Sequence, residues 1–125
     1  YGDRAIGWKG KFNRCVAVSE IASLLERELG ARCTVLPFGP EKVSTVSALS
    51  GGGGYEIFFE ALNSGVDLYI TGDSIEVYHT AKDAGLNVIF AGHHATETVG
   101  LLALKKVVAG RFKVETVFID LPTGL

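Results

Sequence analysis

The sequence predicts one α/β domain over residues 1–125, with a three-layer α/β/α architecture around a mixed, mostly parallel sheet. The chain has 125 residues, close to the common size of a domain with one hydrophobic core. Hydrophobic residues make up 47% of it and charged residues 21%, as in ordinary globular proteins. In the second half, strand-length runs alternate with helical patterns, and such crossovers place helices on both faces of a sheet.

The first half of the chain predicts one clear helix between short strands. Residues 4–12 mix apolar and basic side chains with glycines, which favours a half-exposed strand. The helix is expected to start at Ser19, a good N-cap, and to end at Gly30, where a left-handed cap fits. Pro37 is expected to end a strand, since proline cannot continue a ladder. The β-branched runs that predict strands here are 32–36 and 43–49.

The second half predicts a regular alternation after the glycine run at 51–54. The predicted helices are 55–62, 74–84 and about 95–108, and the predicted strands are 66–71, 86–91 and 114–119. In such sheets a ligand binds beyond the carboxyl ends of the parallel strands. A functional site is therefore expected in the loops that follow residues 49, 71 and 91.

Composition argues against several classes of partner. Twelve basic and fourteen acidic residues leave a net charge of −2, and the two signs are mixed along the chain, so nucleic-acid binding is not expected. The apolar stretches are strand-length and too short to span a membrane. Cys15 and Cys33 lie outside any CxxC spacing, which predicts buried, reduced thiols rather than a disulfide or metal site and favours the cytoplasm.

His93 and Glu97 are the strongest candidate metal ligands. They are four residues apart at a predicted helix start, so their side chains project from one face. The positive end of the helix repels a cation, so a metal there needs further anionic ligands. A capping Glu97 and a hydrogen-bonded His93 explain the pair equally well in isolation, but its position after a strand end favours a metal site.

Three further side chains are candidates for contact with a substrate or with a ligand. His94 points away from His93 and suits a substrate contact or support of a ligand, with packing as the alternative. Asp73 either accepts a hydrogen bond from an imidazole or caps the following helix. His79 lies inside that helix, where a packed or solvated histidine is the favoured interpretation.

The glycine run Gly51, Gly52 and Gly53 admits two interpretations. Glycines before a helix let a phosphate approach its N-terminus. The run nevertheless lacks Gly-x-Gly-x-x-Gly, because position 56 is Glu, and no P-loop lysine follows. A tight backbone turn that lets the neighbouring loops pack closely is the favoured interpretation.

Four sequence motifs, taken together, indicate a family. They lie at residues 50–53, 67–73, 92–97 and 118–123. They read Ser-Gly-Gly-Gly, Asp-Leu-Tyr-Ile-Thr-Gly-Asp, Gly-His-His-Ala-Thr-Glu and Phe-Ile-Asp-Leu-Pro-Thr. With these motifs the chain resembles the family of GTP cyclohydrolase I type 2 homologues, also called Ngg-interacting-factor-three-like proteins. The Gly-His-x-x-Thr-Glu element is the specific part. Asp73 stands where the family pattern has the glutamate of Thr-Gly-Glu.

The resemblance implies a dinuclear site for divalent ions such as Zn, Fe, Mn or Co. His93 and Glu97 would be ligands, joined by histidines and an aspartate from an N-terminal half that this chain lacks. The expected partners are therefore that missing half or other subunits, and the family's rings, commonly hexamers, imply a homo-oligomer. Two ions typically need about four coordinating groups each, so this chain alone is expected to bind metal weakly or not at all.

Three functions are compatible with these observations. The leading hypothesis is a metal-dependent hydrolase or cyclohydrolase-like protein whose substrate the sequence does not reveal. The alternative is a non-enzymatic oligomeric scaffold or protein-interaction module with structural metal. A nucleotide sensor that uses the glycine turn is the third.

Overall fold

The structure, a computed structural model, describes residues 4–122. This part contains five strands and four helices. In chain order they are β1 (Trp8–Ala17), α1 (Val18–Leu29), β2 (Thr34–Pro37), β3 (Lys42–Ala48), α2 (Gly54–Asn63), β4 (Leu68–Thr71), α3 (Tyr78–Ala84), β5 (Asn87–Phe90) and α4 (His93–Phe112). Thr123, which ends the last of the four sequence motifs, lies outside the described residues.

One mixed sheet organises the domain, with strand order β1-β3-β4-β5-β2. β3, β4 and β5 form a parallel centre. β1 adds to it antiparallel beside β3, and β2 adds antiparallel beside β5. The predicted α/β fold with a mixed sheet is confirmed, and its parallel strands end at the edge where the sequence predicts a site.

The hydrophobic core lies on both faces of this sheet. On one face Tyr69 and Val88 pack with residues of α2 and α3, including Phe58. On the other face Leu68 and Ile89 pack with residues of α1. Side chains of a strand alternate between the two faces, so central strands that are covered on both sides need an apolar residue at nearly every position. This explains why β4 and β5 are apolar at every position except Thr71 and Asn87.

The first helix ends where the sequence predicts, but it begins earlier. Gly30 has φ +66° and caps α1 in the left-handed conformation, as expected. The helix begins at Val18, one residue before Ser19, and no side chain caps it. Val18 is buried, and its N–H donates to the carbonyl oxygen of Glu41 at 3.0 Å. This packing against the start of β3 replaces the expected serine cap.

Several other boundaries move for identifiable reasons. Pro37 is the last residue of β2 and pairs with Asn87, which is possible because β2 is an edge strand and its outward side needs no donor. The region predicted as strand 4–12 becomes a strand only from Trp8, and it continues to Ala17 beside β3. α3 begins at Tyr78 rather than at residue 74.

The predicted strand 114–119 is wrong. The structure assigns neither helix nor strand to residues 113–122, and Val117 and Ile119 are more than 70% exposed. The alternation of apolar and polar residues predicts a strand, but a strand also needs a neighbour to complete its hydrogen-bond ladder. Within residues 4–122 no strand pairs with this segment.

α4 is long and has no buried residue. It packs beside α1 and leaves large apolar side chains exposed, among them Leu101 and Leu104 at 55% each. None of the helices in the described part of the chain is both long and apolar enough to cross a membrane. The exposed face is an unusually apolar surface for a helix in water.

The two cysteines do not match the expectation of buried thiols. Both are free, with Cys15 exposed on β1 and Cys33 partly buried before β2. Cys15 lies on the edge strand β1 and is exposed, although the residues that follow it in the sequence are apolar. Burial and the nearby Glu26 raise the pKa of the Cys33 thiol.

Candidate metal site

The loops after β3, β4 and β5 meet at one end of the sheet, where the sequence predicts a site. The carbonyl oxygen of Gly51 accepts hydrogen bonds from the N–H groups of Gly72 at 2.8 Å and Asp73 at 3.1 Å. The N–H of Gly92 in turn donates to the carbonyl oxygen of Gly72 at 3.0 Å. These backbone contacts fix the three loops relative to one another.

Thr96 locks the same loops together from the first turn of α4. Its hydroxyl accepts a hydrogen bond from the N–H of Gly51 at 2.9 Å. The hydroxyl proton points back toward the carbonyl oxygens of Gly92 and His93, both at 2.9 Å. The sequence analysis missed this role, although Thr96 belongs to the Gly-His-x-x-Thr-Glu element that marked the motif.

The glycine turn lets backbone approach the candidate ligands. Gly51 has φ +63°, and a Cβ there would lie 2.7 Å from Oε1 of Glu97 and 3.3 Å from Nε2 of His93. A Cβ on Gly52 would overlap the carboxylate of Asp73. The positive φ of Gly51 disfavours a side chain there, and both glycines leave free the space that Glu97, His93 and Asp73 occupy.

The third glycine of the turn serves packing. A Cβ on Gly53 would lie 2.5 Å from Leu49 and 2.7 Å from Ile57, two residues of the core beneath α2. Together with the hydrogen bonds that already occupy both polar groups of Gly51, this supports the interpretation of a tight turn over that of a phosphate loop.

His93 is held by Asp73. Its Nδ1 lies 2.6 Å from Oδ1 of Asp73. An ionised carboxylate only accepts hydrogen bonds, so Nδ1 carries the proton and donates. In the neutral ring the lone pair is then on Nε2, the tautomer a metal requires. The hydrogen bond that His93 donates to Asp73 raises the pKa of His93, and Glu97 adds to the effect.

Nε2 of His93 faces Glu97. The distance from Nε2 to Oε1 is 3.4 Å, and both side chains remain about half exposed. Two ligand atoms about 2.1 Å from one tetrahedral ion lie about 3.4 Å apart. The pair thus has the spacing and the nitrogen and oxygen chemistry of two ligands of one ion, with Asp73 supporting the ring from behind.

The pair does not form a complete metal site by itself. Within residues 4–122, no group of three or more His, Cys, Asp or Glu side chains is arranged to hold a metal ion. The carboxylate of Asp73 is directed to Nδ1 of His93, which leaves His93 and Glu97 as the two facing donors. A metal ion bound here would need further ligands from outside the described residues.

The other two histidines lie apart from this pair. Nε2 of His94 lies 2.8 Å from Oδ1 of Asp120, in the segment after α4. His79 is exposed on α3, and its ring lies 5.3 Å from that of Tyr78. Among residues 4–122 the structure therefore joins Asp73 to His93. It gives His94 a carboxylate partner that the sequence analysis had not assigned, and it places His79 at an exposed position of α3, apart from the pair.

Fold and site together define a class: an α/β protein with a carboxylate-supported imidazole and a second carboxylate at the carboxyl edge of its parallel strands. The chain belongs to the Duf34/NIF3 (NGG1p interacting factor 3) family, whose model matches residues 3–124. The family resemblance seen in the sequence is thereby confirmed.

Curated relatives of this chain are longer than the chain itself. A protein of Archaeoglobus fulgidus named GTP cyclohydrolase 1 type 2 homolog is 43% identical over 121 residues, which is 96% of this chain and 47% of the relative. A protein of the same name from Pyrococcus horikoshii is 43% identical over 122 residues, or 96% and 48%. The chain spans about half the length of the curated relatives it matches.

Solved structures show the same fold. Protein ybgI, described as of unknown function, superimposes with a TM-score of 0.85 at 35% identity, covering 94% of this chain and 48% of that one. A protein from Thermus thermophilus, TTHA1606, gives a TM-score of 0.83 at 36% identity, covering 93% and 47%. The predicted architecture is confirmed by both.

Proposed function

We propose that this chain supplies His93 and Glu97 as ligands of a divalent-metal site in a metal-dependent hydrolase. The observation that carries the proposal is the pair itself: Nε2 and Oε1 lie 3.4 Å apart, while Asp73 holds Nδ1 at 2.6 Å. A histidine that donates its other N–H to a carboxylate is the usual form of a metal-bound imidazole. The mixed nitrogen and oxygen donors suit Zn, Fe, Mn or Co.

A divalent ion, when bound, activates water and polarises a substrate oxygen, as hydrolysis requires. The chain's own contribution is to direct Nε2 of His93 toward the ion by holding Nδ1 on Asp73, to hold Glu97 beside it, and to keep side chains away from the turn at Gly51. The curated relatives carry the name GTP cyclohydrolase 1 type 2 homolog. From that name we carry over to this chain only the hydrolytic class of reaction. The proposal names no substrate.

The remaining ligands belong in this proposal to the rest of a longer polypeptide or to other subunits of a homo-oligomer. The relatives contain about as much chain again as this one matches, which is room for a second ligand set. A cytoplasmic location completes the proposal, since both cysteines are free thiols, the state that a reducing compartment maintains.

Elemental analysis of the intact gene product tests the metal site. The protein is loaded separately with Zn, Mn, Fe and Co, and the bound metal per chain and any hydrolytic turnover are measured. His93→Ala is expected to remove metal and turnover, while His79→Ala, which alters the exposed histidine on α3, is expected to retain both. If His93→Ala keeps stoichiometric metal and activity, the assignment is wrong.

The second candidate function is an oligomeric scaffold with structural metal. The exposed apolar face of α4, which includes Leu101 and Leu104, favours it because such a face is normally covered by protein. Light scattering before and after chelation separates the two functions. A scaffold loses its assembly on metal removal and has no turnover to lose, whereas a hydrolase loses turnover.

A further inference from the structure

The hydroxyl oxygen of Thr96 lies where the three loops of the candidate site meet. It accepts a hydrogen bond from the N–H of Gly51, in the loop after β3, at 2.9 Å. A Cβ on Gly72, in the loop after β4, would lie 2.7 Å from the same oxygen. The carbonyl oxygen of Gly92, in the loop after β5, is 2.9 Å away. One side-chain atom of α4 thus lies against a residue of every loop.

The contact between α4 and the glycine turn depends on this hydroxyl. Its proton is directed to the carbonyl oxygens of Gly92 and His93 within the helix start, a bond that threonine hydroxyls often make in helices. The oxygen then has a lone pair for the N–H of Gly51, a buried residue. Buried backbone N–H groups are nearly always paired, so a side chain without this oxygen would leave the turn without its bond to α4.

The peptide that Thr96 holds is linked to both candidate ligands. On one side Gly51 lies against Glu97, since a Cβ there would come within 2.7 Å of Oε1. On the other side the carbonyl oxygen of Gly51 accepts the N–H of Asp73 at 3.1 Å. Oδ1 of Asp73 in turn holds Nδ1 of His93 at 2.6 Å. A shift of Gly51 would therefore reach Glu97 directly and His93 through Asp73.

We propose that Thr96 is a positioning residue for the metal site. Its hydroxyl sets the distance between the Gly51 turn and the first turn of α4, and through that turn it sets the directions in which His93 and Glu97 face the ion. Groups that fix the orientation of ligands raise metal affinity without touching the metal. This inference rests on the proposed metal site.

A set of four variants of the intact gene product isolates the bond to Gly51. Thr96→Val removes the hydroxyl at nearly the same side-chain size, and Thr96→Ala removes it without placing a second methyl group against the turn. Thr96→Ser keeps the hydroxyl. Thr98→Val is the matched control, because Thr98 lies on the same helix, is also partly buried, and donates at 2.8 Å only to the carbonyl oxygen of Ala95 within that helix.

Metal affinity and the spectrum of bound Co²⁺ report on ligand geometry. Co²⁺ is titrated by its visible absorption and Zn²⁺ by competition. Thr96→Val and Thr96→Ala should raise the dissociation constants about tenfold, toward the lower end of the effects known for groups behind a ligand, and should change the shape of the Co²⁺ spectrum. Thr96→Ser should restore both, and Thr98→Val should match the wild type. Wild-type affinity in Thr96→Val and Thr96→Ala, or an equal loss in Thr98→Val, overturns the inference.

Amide hydrogen exchange without metal tests the bond itself. The N–H of Gly51 should exchange faster in Thr96→Val and Thr96→Ala than in the wild type, because its acceptor is gone and the turn opens more easily. Its rate should be unchanged in Thr98→Val. An unchanged rate in both Thr96 variants would show that the hydroxyl does not hold the turn, and the inference would be wrong.

His93→Ala separates this inference from the proposed metal site. If His93→Ala loses metal affinity while Thr96→Val and Thr96→Ala keep it, only the role of Thr96 is wrong. If His93→Ala keeps full affinity, the metal site and the inference fall together. Loss of affinity in His93→Ala and in both hydroxyl-free variants, with recovery in Thr96→Ser, supports both.

Discussion

Gly51 and Glu97 lie so close together that one added methyl carbon on Gly51 would come within 2.7 Å of Oε1. The same carbon would lie 3.3 Å from Nε2 of His93. The glycine turn thus leaves open the space in which the two candidate ligands face each other, and a side chain at Gly51 would push Glu97 out of that arrangement. This makes the turn a sensitive probe of the site.

Gly51→Ala is expected to displace Glu97 and to weaken metal binding at least about tenfold, as loss of ligand positioning does. The left-handed conformation adds about 1–2 kcal/mol of strain for any L residue, and the contact with Oε1 is relieved by movement of the half-exposed Glu97 side chain, which is the expected displacement. Gly54→Ala is the matched control, since Gly54 also has a positive φ but has nothing within 4 Å of its Cβ position. Denaturant unfolding and Co²⁺ titration measure both effects. Equal losses of affinity in both variants would contradict the steric explanation.

Asp67 clamps the beginning of β3 to β4 and makes the fold sensitive to acid. Its Oδ2 accepts four hydrogen bonds, from the N–H groups and hydroxyls of Ser44 and Thr45, at 2.8–3.0 Å. The N–H of Ser44 contributes most to holding the pKa of Asp67 below its ordinary value of 3.8. A lowered folded pKa means that the charged carboxylate stabilises the fold fully above pH 3.8 and loses that effect as the pH falls through the lowered value.

Asp67→Ala is therefore expected to lower the free energy of unfolding at pH 7 by about 2 kcal/mol. The difference from wild type should begin to shrink below pH 3.8 and should continue to shrink as the pH falls through the lowered pKa of the folded carboxyl. Asp83→Ala, at an exposed position in the last turn of α3, is the control and should change little. Urea unfolding at a series of pH values measures the trend. A constant difference down to about pH 2 would refute the role given to the charge.

The central fold is predictable from sequence because its signals are local. The apolar runs of β4 and β5 and the stripe of α1 depend on residues a few positions apart. The edges are harder, since the end of β1 and the fate of 114–119 depend on which strand lies alongside. Alternating apolar and polar residues form a strand in β1, which lies beside β3, but the same pattern at 114–119 forms an irregular segment.

The site follows the same division. The spacing of His93 and Glu97 predicts that they face each other, because a helix fixes that relationship. Whether Asp73 bonds an imidazole or caps a helix depends on how closely two loops approach each other, which the sequence does not show. In the structure Asp73 accepts a hydrogen bond from His93. The role of Thr96 depends on a contact between two loops and has no local signal beyond its motif position.

The exposed leucines of α4 predict the surface on which the proposed assembly forms. Leu104→Glu places a charge on that face and is expected to weaken self-association at least about tenfold, since an unpaired charge at an interface is strongly unfavourable. Monomer stability should hardly change, because α4 has no buried residue. Phe59→Glu, on α2 at the opposite face of the sheet, is the control. Sedimentation analysis measures both, and unchanged association in Leu104→Glu would exclude this face.

The His94 and Asp120 pair ties the irregular segment 113–122 to the first turn of α4, next to the candidate ligands. Nε2 and Oδ1 are 2.8 Å apart, with the Asp120 side chain more than half exposed. Exposed pairs of this kind contribute at most about 1 kcal/mol, so its importance is local order. Asp120→Asn is expected to leave the melting temperature nearly unchanged and to speed amide hydrogen exchange in 113–122 several-fold, as for a segment of low local stability.

Glu115→Gln removes a charge from the same segment at an exposed position and should leave its exchange rates at the wild-type level. His94→Ala should reproduce the exchange pattern of Asp120→Asn, because either change removes the same hydrogen bond. If amide exchange in 113–122 stays at wild-type rates in both His94→Ala and Asp120→Asn, other contacts hold the segment. A rise in exchange that also extended into α4 would instead show that the pair supports the helix start, where His93 and Glu97 are presented.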